Sequence, residues 1–505
     1  MAFLPDRLKD GLTLAKRLLR ALWREEGSIV QRTVRGGIWL FTTSGSVQLL
    51  QMVQTAILAR LLVAADFGVM QLVLVAVSAA IAFSHLGVSD ALVQRKEVSE
   101  RLLQTAWTMD LARCVVMFIF IQLLAWPAAA FYEEPQLEPL LRLVSVKYIF
   151  LGLSNNAGLA MLRRDMKFRR KQLYEVCVNV GGAVVTVALA FHLRSVWALV
   201  WGQVFFGAGE LVGSYVVHPF RPRFRFHMHE ARSLFAFGKH LFAGGILGFA
   251  RGSAAKVLIG RLLSREELGY YSLAYSLVVK PISVFAPVFG TVLYPAFSRL
   301  QMKVQVLQRA FARAIAFGCL LLCPALAGIA VTATLVVRVV YGPRYMPVAP
   351  LAMAFCLVPL LAFYQEVSAQ LLMARGKPWL NNLNTLLNLV LYLPMIFILT
   401  TRYGTMGAVI AAGAIRFSES LVVTFFLRRE LSLPVLSVAR AALRPLLASI
   451  LMGVGVLLLG EALPFSAVAS LAVLVPAGVV LYTACTAALN RAGWGDAMRL
   501  VKGAT

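Results

Sequence analysis

Long apolar runs separated by short polar loops recur along nearly the whole chain. Fourteen of these runs approach or exceed the roughly 20 residues that a helix needs to cross the hydrocarbon core of a bilayer. The runs, numbered spans 1 to 14, cover residues 37–62, 67–90, 104–131, 139–162, 173–192, 196–219, 237–260, 268–297, 311–337, 348–373, 379–400, 404–427, 441–460 and 465–489. The pattern predicts an all-α polytopic membrane protein with 14 transmembrane helices.

Lysine and arginine are concentrated in alternate loops. On one side of the predicted membrane, the termini and every second loop are basic, with the densest cluster at Arg163, Arg164, Lys167, Arg169, Arg170 and Lys171. The loops of the other side hold only Arg194, Arg261, Arg265, Arg344 and Arg402. Positive residues accumulate in cytoplasmic loops. The distribution therefore places both termini in the cytoplasm and supports an even number of spans.

The composition is that of a membrane protein. The chain has 505 residues, of which 60% are hydrophobic, and a net charge of +26. On a soluble protein such a charge would indicate nucleic-acid binding. Here the mean hydropathy of +0.77 and the loop positions of the cations favour contact with anionic membrane lipids, and no nucleic acid partner is expected. Residues 1–35 are basic and amphipathic and are expected to lie at the cytoplasmic membrane surface.

A short motif occurs twice, at an offset of 201 residues. The letters ARLL followed by FG (59–68) return as GRLL followed by LG (260–269), each time where one span ends and the next begins. Two halves of equal orientation are one plan for transporters, with substrate bound between them. The predicted domains are a cytoplasmic segment (1–35), a first lobe with spans 1–6 (36–220), a cytoplasmic linker (221–235), a second lobe with spans 7–12 (236–430), and spans 13–14 with a cytoplasmic tail (431–505).

Span 7 contains two deeply placed cations, Arg251 and Lys256, in an otherwise apolar run. A cation in hydrocarbon costs roughly 3 kcal/mol unless it faces a cavity or a counter-charge. Gly244, Gly248 and Gly252 recur every fourth residue, which lets a second helix approach closely or lets the span bend. We expect the span to line a path for an anion. The two cations lie about 140° apart on a helix, so one narrow face cannot hold both.

Other polar residues inside spans are candidates for substrate contact. The cations are Lys280, which precedes a proline where span 8 is expected to kink, Arg416 and Lys147. Gln48 and Gln51 lie on the polar span 1, and their amides suit sugar hydroxyls. The alternatives are that the cations pair with carboxylates and that the amides join neighbouring helices.

Four carboxylates inside spans are candidates for coupling to Na⁺ or H⁺, namely Glu366, Glu210, Glu419 and Asp110. Asp110 with Arg113, and Glu419 with Arg416, lie three residues apart. At that spacing two opposite charges commonly neutralise each other, so a structural role is the alternative for these pairs.

No enzyme signature is present, since the chain has no P-loop, no GxSxG, no HExxH and no dinucleotide fingerprint. We therefore expect no enzymatic activity, no cofactor and no metal site. Because a nucleotide site is also missing, a gradient of Na⁺ or H⁺ is the expected driving force.

The stretches ILARLLVAADFGVMQL and SHLGVSDALVQRKE, with the second-half counterpart VLIGRLLSREELGYYSLAYSL, resemble the polysaccharide-transporter (Wzx-like) family of oligosaccharide flippases. That family belongs to the multidrug/oligosaccharidyl-lipid/polysaccharide (MOP) exporter superfamily. The resemblance covers spans 1 to 12 and implies two six-helix lobes in a V around a central cavity, with two extra C-terminal helices. Family members often carry an Asp in span 7; the corresponding position is Ala255, so ion coupling through that Asp is not implied.

The resemblance also implies a function. A flippase of this family moves an undecaprenyl-pyrophosphate-linked oligosaccharide, such as an O-antigen, capsule or exopolysaccharide repeat unit, from the cytoplasmic to the periplasmic leaflet of the bacterial inner membrane by alternating access. Its expected partners are a polysaccharide polymerase and glycosyltransferases. Two alternatives stay open. A drug or metabolite exporter of the same superfamily would favour organic cations, which buried cations repel. A non-transporting scaffold of a polysaccharide-synthesis complex would have no use for deep charges.

Overall fold

The computed structural model describes residues 29–489 apart from residues 85, 86, 96, 166, 284 and 463–465. Side chains at 29–42, 90, 94, 168, 236–244, 280–292, 435, 462 and 489 are not part of the description. Most of the predicted interfacial segment 1–35, and the side chain of Lys280, therefore lie outside the described residues.

The regular elements within the described ranges are helices. They are α1 (Ile29–Leu61), α2 (Ala64–Ser84), α3 (Val88–Gln94), α4 (Glu100–Tyr132), α5 (Leu137–Leu153), α6 (Asn156–Arg164), α7 (Phe168–Leu193), α8 (Val196–Val217), α9 (Met228–Leu262), α10 (Arg265–Ser283), α11 (Phe285–Leu300), α12 (Val304–Val340), a 3₁₀ turn (Pro343–Tyr345), α13 (Val348–Phe355), α14 (Leu357–Ala374), α15 (Pro378–Leu431), α16 (Val435–Ala462) and α17 (Ala467–Leu489).

The hydropathy prediction is confirmed at the level of a polytopic membrane protein. Within the described part of the chain, nine helices are long and apolar enough to cross a membrane. Every predicted span overlaps a helix, and described non-helical residues divide three of the spans, namely spans 2, 4 and 10, into two helices each. In span 8 the boundary between α10 and α11 falls on residue 284, which lies outside the described residues, so the expected kink stays a prediction. The number of 14 crossings and the cytoplasmic termini stay predictions.

Spans 11 and 12 run together as α15, and Gly404 separates them. Its backbone is not helical, with φ 59° and ψ −144°, and a positive φ of this kind is readily adopted only by glycine. A Cβ on Gly407 would lie 1.9 Å from the carbonyl oxygen of Leu399. Residues eight apart would be about 12 Å apart along one straight helix, so the two limbs of α15 fold back on each other at Gly404.

The repeated motif forms the contact between the two halves of the chain. α2 packs against α9 and α10. A Cβ on Gly68 would lie 1.8 Å from the carbonyl oxygen of Arg265, and a Cβ on Gly269 would lie 2.0 Å from that of Ala64. The two glycines occupy equivalent places in the two copies. Their missing side chains allow the starts of α2 and α10 to touch backbone to backbone.

The arginines of the same motif also reach across to the other half. Arg60 donates to a backbone carbonyl at the end of α12, and Arg261, its counterpart, donates to a carboxylate at the end of α4 over 2.8 Å. A third arginine at the start of α10 donates to the neighbouring carboxylate over 3.0 Å. We call this set the inter-half latch; it consists of the pairs Arg60–Val339, Arg261–Glu133 and Arg265–Glu134. All its members lie on the side that the charge distribution predicts to be extracytoplasmic.

The last two helices pack outside this repeat. α16 and α17 lie against α12, and Met452, Val456 and Leu474 form a small core of their own. The Tyr482 hydroxyl donates to the carbonyl oxygen of Leu320 over 2.8 Å. Among the described residues, the pair is therefore attached to the second half mainly through α12.

Candidate functional site

A cavity in the second half collects several polar side chains that sequence analysis singled out. Its volume is about 100 Å³, and it is partly open to solvent. α9, α10, α13, α14 and both limbs of α15 supply its walls; its polar lining is Arg251, Tyr271, Tyr275, Asn388, Tyr392, Arg416 and Glu419. A Cβ on Gly252 would meet nothing within 4 Å. At this residue the small-residue stripe of span 7 thus opens onto the cavity and makes no helix contact.

Two guanidinium groups converge on one carboxylate oxygen in this cavity. Glu419 Oε2 accepts from Arg251 Nη2 at 3.0 Å and from Arg416 Nη1 at 3.2 Å. The Glu419 side chain is only 3% exposed, whereas the two arginines are 29% and 28% exposed. The carboxylate is therefore the deeper group, and the guanidiniums lie nearer to the open space. These three charges sum to one positive charge.

Pairing, which sequence analysis left open as an alternative for these arginines, occurs for both of them. The partner of Arg416 is the one that the i, i+3 spacing indicates. The partner of Arg251 is 168 residues away in the chain. Because two cations share a single anion, pairing does not cancel the charge of the site, and a guanidinium retains donors beyond those used here.

Amide groups hold this cluster from behind. Gln365 Oε1 accepts from Arg416 Nη1 at 2.8 Å, and its amide donates to the Arg416 carbonyl oxygen. Asn388 donates to Asn384, whose own amide donates to the carbonyl oxygen of Glu419. The arginines are thus fixed by packed helices, which is the condition for a preorganised anion site.

Asn388 has an acceptor without a partner. Its side chain is 1% exposed, and its Oδ1 atom is buried without a hydrogen bond. Buried acceptors nearly always have a hydrogen-bond partner, so we expect this oxygen to accept a bond from a further donor. The residue also lines the cavity, where the donor could belong to a ligand.

Lys256 lies on another face of α9, as its helical position predicts. Its ammonium group is 5.9 Å from the ring centroid of Tyr275, and that ring lines the cavity. The second cation of span 7 thus stands beside the site. Lys280 lies in α10, and its side chain is outside the described part.

Lys147 and Glu210 belong to a separate cluster in the first half. Lys147 Nζ donates to Gln203 Oε1 over 2.9 Å and lies 4.9 Å from the Phe206 ring centroid. The charges of Lys147 and Glu210 interact. A Cβ on Gly207 would lie 2.9 Å from the Lys147 side chain, so this glycine allows α8 to approach α5.

The remaining predicted residues are dispersed. Asp110 is bound by Arg113 at 2.7 Å and by Asn156 at 2.6 Å. Glu366 Oε1 accepts from Gln370 over 2.8 Å. On α1, Gln48 has a buried Oε1 without a partner, and Gln51 accepts from Thr55 through its backbone. The contacts of these residues are compatible with a structural role as well as with the predicted one. Substrate contact by the glutamines and ion coupling by the carboxylates therefore stay predictions.

The tyrosines of the cavity were not among the residues predicted from the sequence. Tyr271 and Tyr275 lie four residues apart on α10, so they occupy one face of that helix. This spacing in the stretch GYYSLAYSL was the available signal. Tyr392 comes from α15, and only the fold brings it to the same cavity.

Comparison with known proteins identifies similar sequences. The sequence profile of the polysaccharide biosynthesis protein family matches residues 57–350. The lipopolysaccharide biosynthesis protein WzxC of Escherichia coli K12 is 24% identical over 382 residues, which are 75% of this chain and 77% of WzxC. The succinoglycan biosynthesis transport protein ExoT of Rhizobium meliloti is 28% identical over 298 residues, which are 59% of this chain and 60% of ExoT.

Solved structures with the same fold are membrane transporters. The lipid II flippase MurJ, in its inward closed conformation, matches with a TM-score of 0.69 at 13% identity over 90% of this chain and 99% of MurJ. An inward-facing multidrug resistance MATE transporter of the MOP superfamily matches with a TM-score of 0.55 at 15% identity, over 82% of this chain and 97% of its own. At these identities the likeness establishes the fold alone.

Proposed function

Because the chain belongs to the family of polysaccharide biosynthesis proteins, we propose that it is a flippase for an undecaprenyl-pyrophosphate-linked oligosaccharide. It moves its cargo from the cytoplasmic to the periplasmic leaflet of a bacterial inner membrane. Its relatives include WzxC and ExoT, and a probable flippase of low-salt glycan biosynthesis in Haloferax volcanii is 25% identical over 195 residues. The protein is a transporter and carries out no chemical conversion of the cargo.

The observation that carries the proposal is the convergence of Arg251 and Arg416 on a cavity between apolar helices. A diphosphate cannot cross about 30 Å of hydrocarbon with its charge unbalanced. Guanidinium groups suit this task because their planar donors bind phosphate oxygens in pairs. In this account the two arginines hold the diphosphate while the isoprenoid tail stays in the bilayer.

The same cavity has groups that suit the first sugar. The unpartnered Asn388 Oδ1 cannot bind a phosphate oxygen, since both are acceptors, but it can accept from a sugar hydroxyl. The rings of Tyr271, Tyr275 and Tyr392 stand around it. We assign the junction between diphosphate and sugar to this place.

The inter-half latch supports alternating access. It closes the side that carries Glu133 and Glu134, and exit of a headgroup to that side requires the halves to separate there. Its ion pairs are at least partly exposed, and such pairs contribute only about 0.2–1 kcal/mol each. Fourteen membrane crossings, in two six-helix lobes and two additional C-terminal helices, with both termini in the cytoplasm, complete this picture. Anionic lipids, a polymerase and glycosyltransferases are its proposed partners.

A reconstituted assay tests the function. The purified protein is placed in liposomes that contain a defined undecaprenyl-pyrophosphate-linked sugar, and a membrane-impermeant lectin reports how much sugar reaches the outer leaflet. Protein-dependent exposure of the sugar is expected. An exporter of organic cations would instead accumulate a cationic dye in the same liposomes and leave the sugar distribution unchanged, and that result would reject the proposal.

A further inference from the structure

Glu419 occupies the position where the proposed diphosphate should bind the arginines. Its Oε2 atom already accepts from Arg251 and from Arg416. Both guanidiniums therefore have an anion in the described structure, and that anion belongs to the protein.

We propose that Glu419 is an exchangeable counter-anion: the diphosphate displaces it from the two guanidiniums on loading, and the carboxylate returns to them when the cargo leaves. The inference rests on the proposed function and adds a role for this one residue. It makes Glu419 a determinant of affinity and of release, without direct contact with the cargo.

Charge and depth support the exchange. The carboxylate lies behind the guanidiniums, so an anion arriving from the open cavity meets the arginines first. A diphosphate added to the intact cluster would place like charges side by side, which is strongly unfavourable in a low dielectric. This repulsion between the diphosphate and the Glu419 carboxylate is relieved when the carboxylate moves away from the guanidiniums.

Neighbouring groups allow the arginines to keep their positions during the exchange. Gln365 holds Arg416 by two hydrogen bonds that do not involve Glu419. The Gln365 amide group and the Glu419 carboxylate both accept from Arg416 Nη1, so they lie side by side. A released carboxylate thus has a donor nearby, and this lowers the cost of leaving a buried charge.

An empty site also needs this anion. Two guanidiniums without a counter-charge would repel each other inside the membrane. Glu419 supplies the charge in the absence of cargo and competes for the arginines in its presence. This competition keeps binding from becoming too tight for release.

The test compares Glu419→Gln with the wild type, with undecaprenyl pyrophosphate in detergent as the probe and calorimetric titration as the measurement. A nearby charge commonly changes an ionic equilibrium by a factor of about ten or more. The variant should bind the probe about tenfold more tightly and flip a lipid-linked sugar more slowly, because release becomes limiting. Glu430→Gln, near the end of the same helix where it pairs with Lys377 outside the cavity, is the matched control and should change neither quantity.

Glu419→Asp keeps the charge and should bind the probe with nearly wild-type affinity, which guards against a variant that folds poorly. Weaker or unchanged binding by Glu419→Gln, with Arg251→Gln weakening the wild-type affinity, would show that Glu419 only positions the arginines and would overturn this inference alone. Absence of binding by the wild type, or binding that Arg251→Gln leaves unchanged, would reject the proposed site itself and the exchange with it.

Discussion

Gly68 and Gly269, which are 201 positions apart in the chain, each lie against the backbone of the helix that carries the other. A side chain at either position would force the starts of α2 and α10 apart. The relationship explains why the repeated motif ends in glycine in both copies. It also shows that the two halves meet through equivalent surfaces.

The first prediction concerns this glycine contact. Gly269→Ala introduces a Cβ 2.0 Å from the carbonyl oxygen of Ala64, and overpacking of this kind costs about 1–3 kcal/mol. The variant should therefore show a lower melting temperature in detergent. Gly328→Ala, in α12, is the control, because a Cβ there meets nothing within 4 Å. Equal melting temperatures for the two variants would show that the contact is not needed.

The second prediction concerns the latch. Replacing Glu133 and Glu134 together by glutamine removes two of its ion pairs. We expect the distance between spin labels at positions 138 and 344, measured in a cysteine-free background, to shift toward longer values. With about 0.2–1 kcal/mol for each of the two pairs, the ratio of open to closed molecules should rise by a factor of about 2 to 30. Glu266→Gln removes a contact within one half only and should leave the distribution unchanged; an equal shift there would contradict the assignment.

The third prediction is a pH dependence at His218, which follows the end of α8 at Val217 and so lies just outside the membrane-spanning helix, although predicted span 6 extended to residue 219. Burial, followed by the charge of Lys167, lowers the pKa of His218 below its usual value of 6.5. The His218 ring is thus neutral in the folded protein, and its Nδ1 accepts from the backbone N–H of Phe220. An unfolded chain takes up a proton as the pH falls below about 6.5, whereas the folded chain resists it. Stability contributed by this site is therefore complete above that pH and decreases as the pH falls.

Thermal unfolding measured between pH 7.5 and pH 5 tests this point. The melting temperature of the wild type should fall more than that of His218→Asn, whose side-chain oxygen can accept the same bond without titrating. His192→Asn, at an exposed position of α7, serves as the control. Parallel curves for the wild type and His218→Asn would show that this ring does not carry the effect.

The fourth prediction separates sugar from phosphate recognition. Asn388→Ala removes the unpartnered Oδ1 of the cavity, and one hydrogen bond contributes about 0.5–1.5 kcal/mol. Affinity for a lipid-linked sugar should fall roughly three- to tenfold, while affinity for undecaprenyl pyrophosphate should change little. Asn382→Ala, at an exposed position of the same limb, should affect neither. Equal losses for both ligands would assign Asn388 to the support of the arginines.

Periodicity and spacing predicted much of this molecule. The apolar runs located the helices, and the spacing of Arg416 and Glu419 indicated their pairing. The repeated motif identified residues that meet at the contact between the halves. Such features are local, or they recur in the sequence, so they need no knowledge of the fold.

Other features depend on contacts between distant segments. The pairing of Arg251 with Glu419 joins helices that are far apart in sequence, and no local pattern specifies it. The reversal of chain direction at Gly404, where the two limbs of α15 fold back on each other, was indicated in the sequence only by a polar interruption between two spans. Tyr392 lines the cavity because this reversal places its limb of α15 beside α9 and α10.

Flipping of a lipid-linked sugar by the double variant Arg251→Gln, Arg416→Gln is the most direct test of the central claim. The substitution removes both guanidiniums while it keeps an uncharged polar side chain at each position. Sugar exposure at the outer leaflet should slow by at least about tenfold, since two charge-assisted contacts to the diphosphate are lost. Arg232→Gln, at the exposed start of the same α9 helix, should flip at the wild-type rate. A double variant that flips as fast as this control would contradict the account.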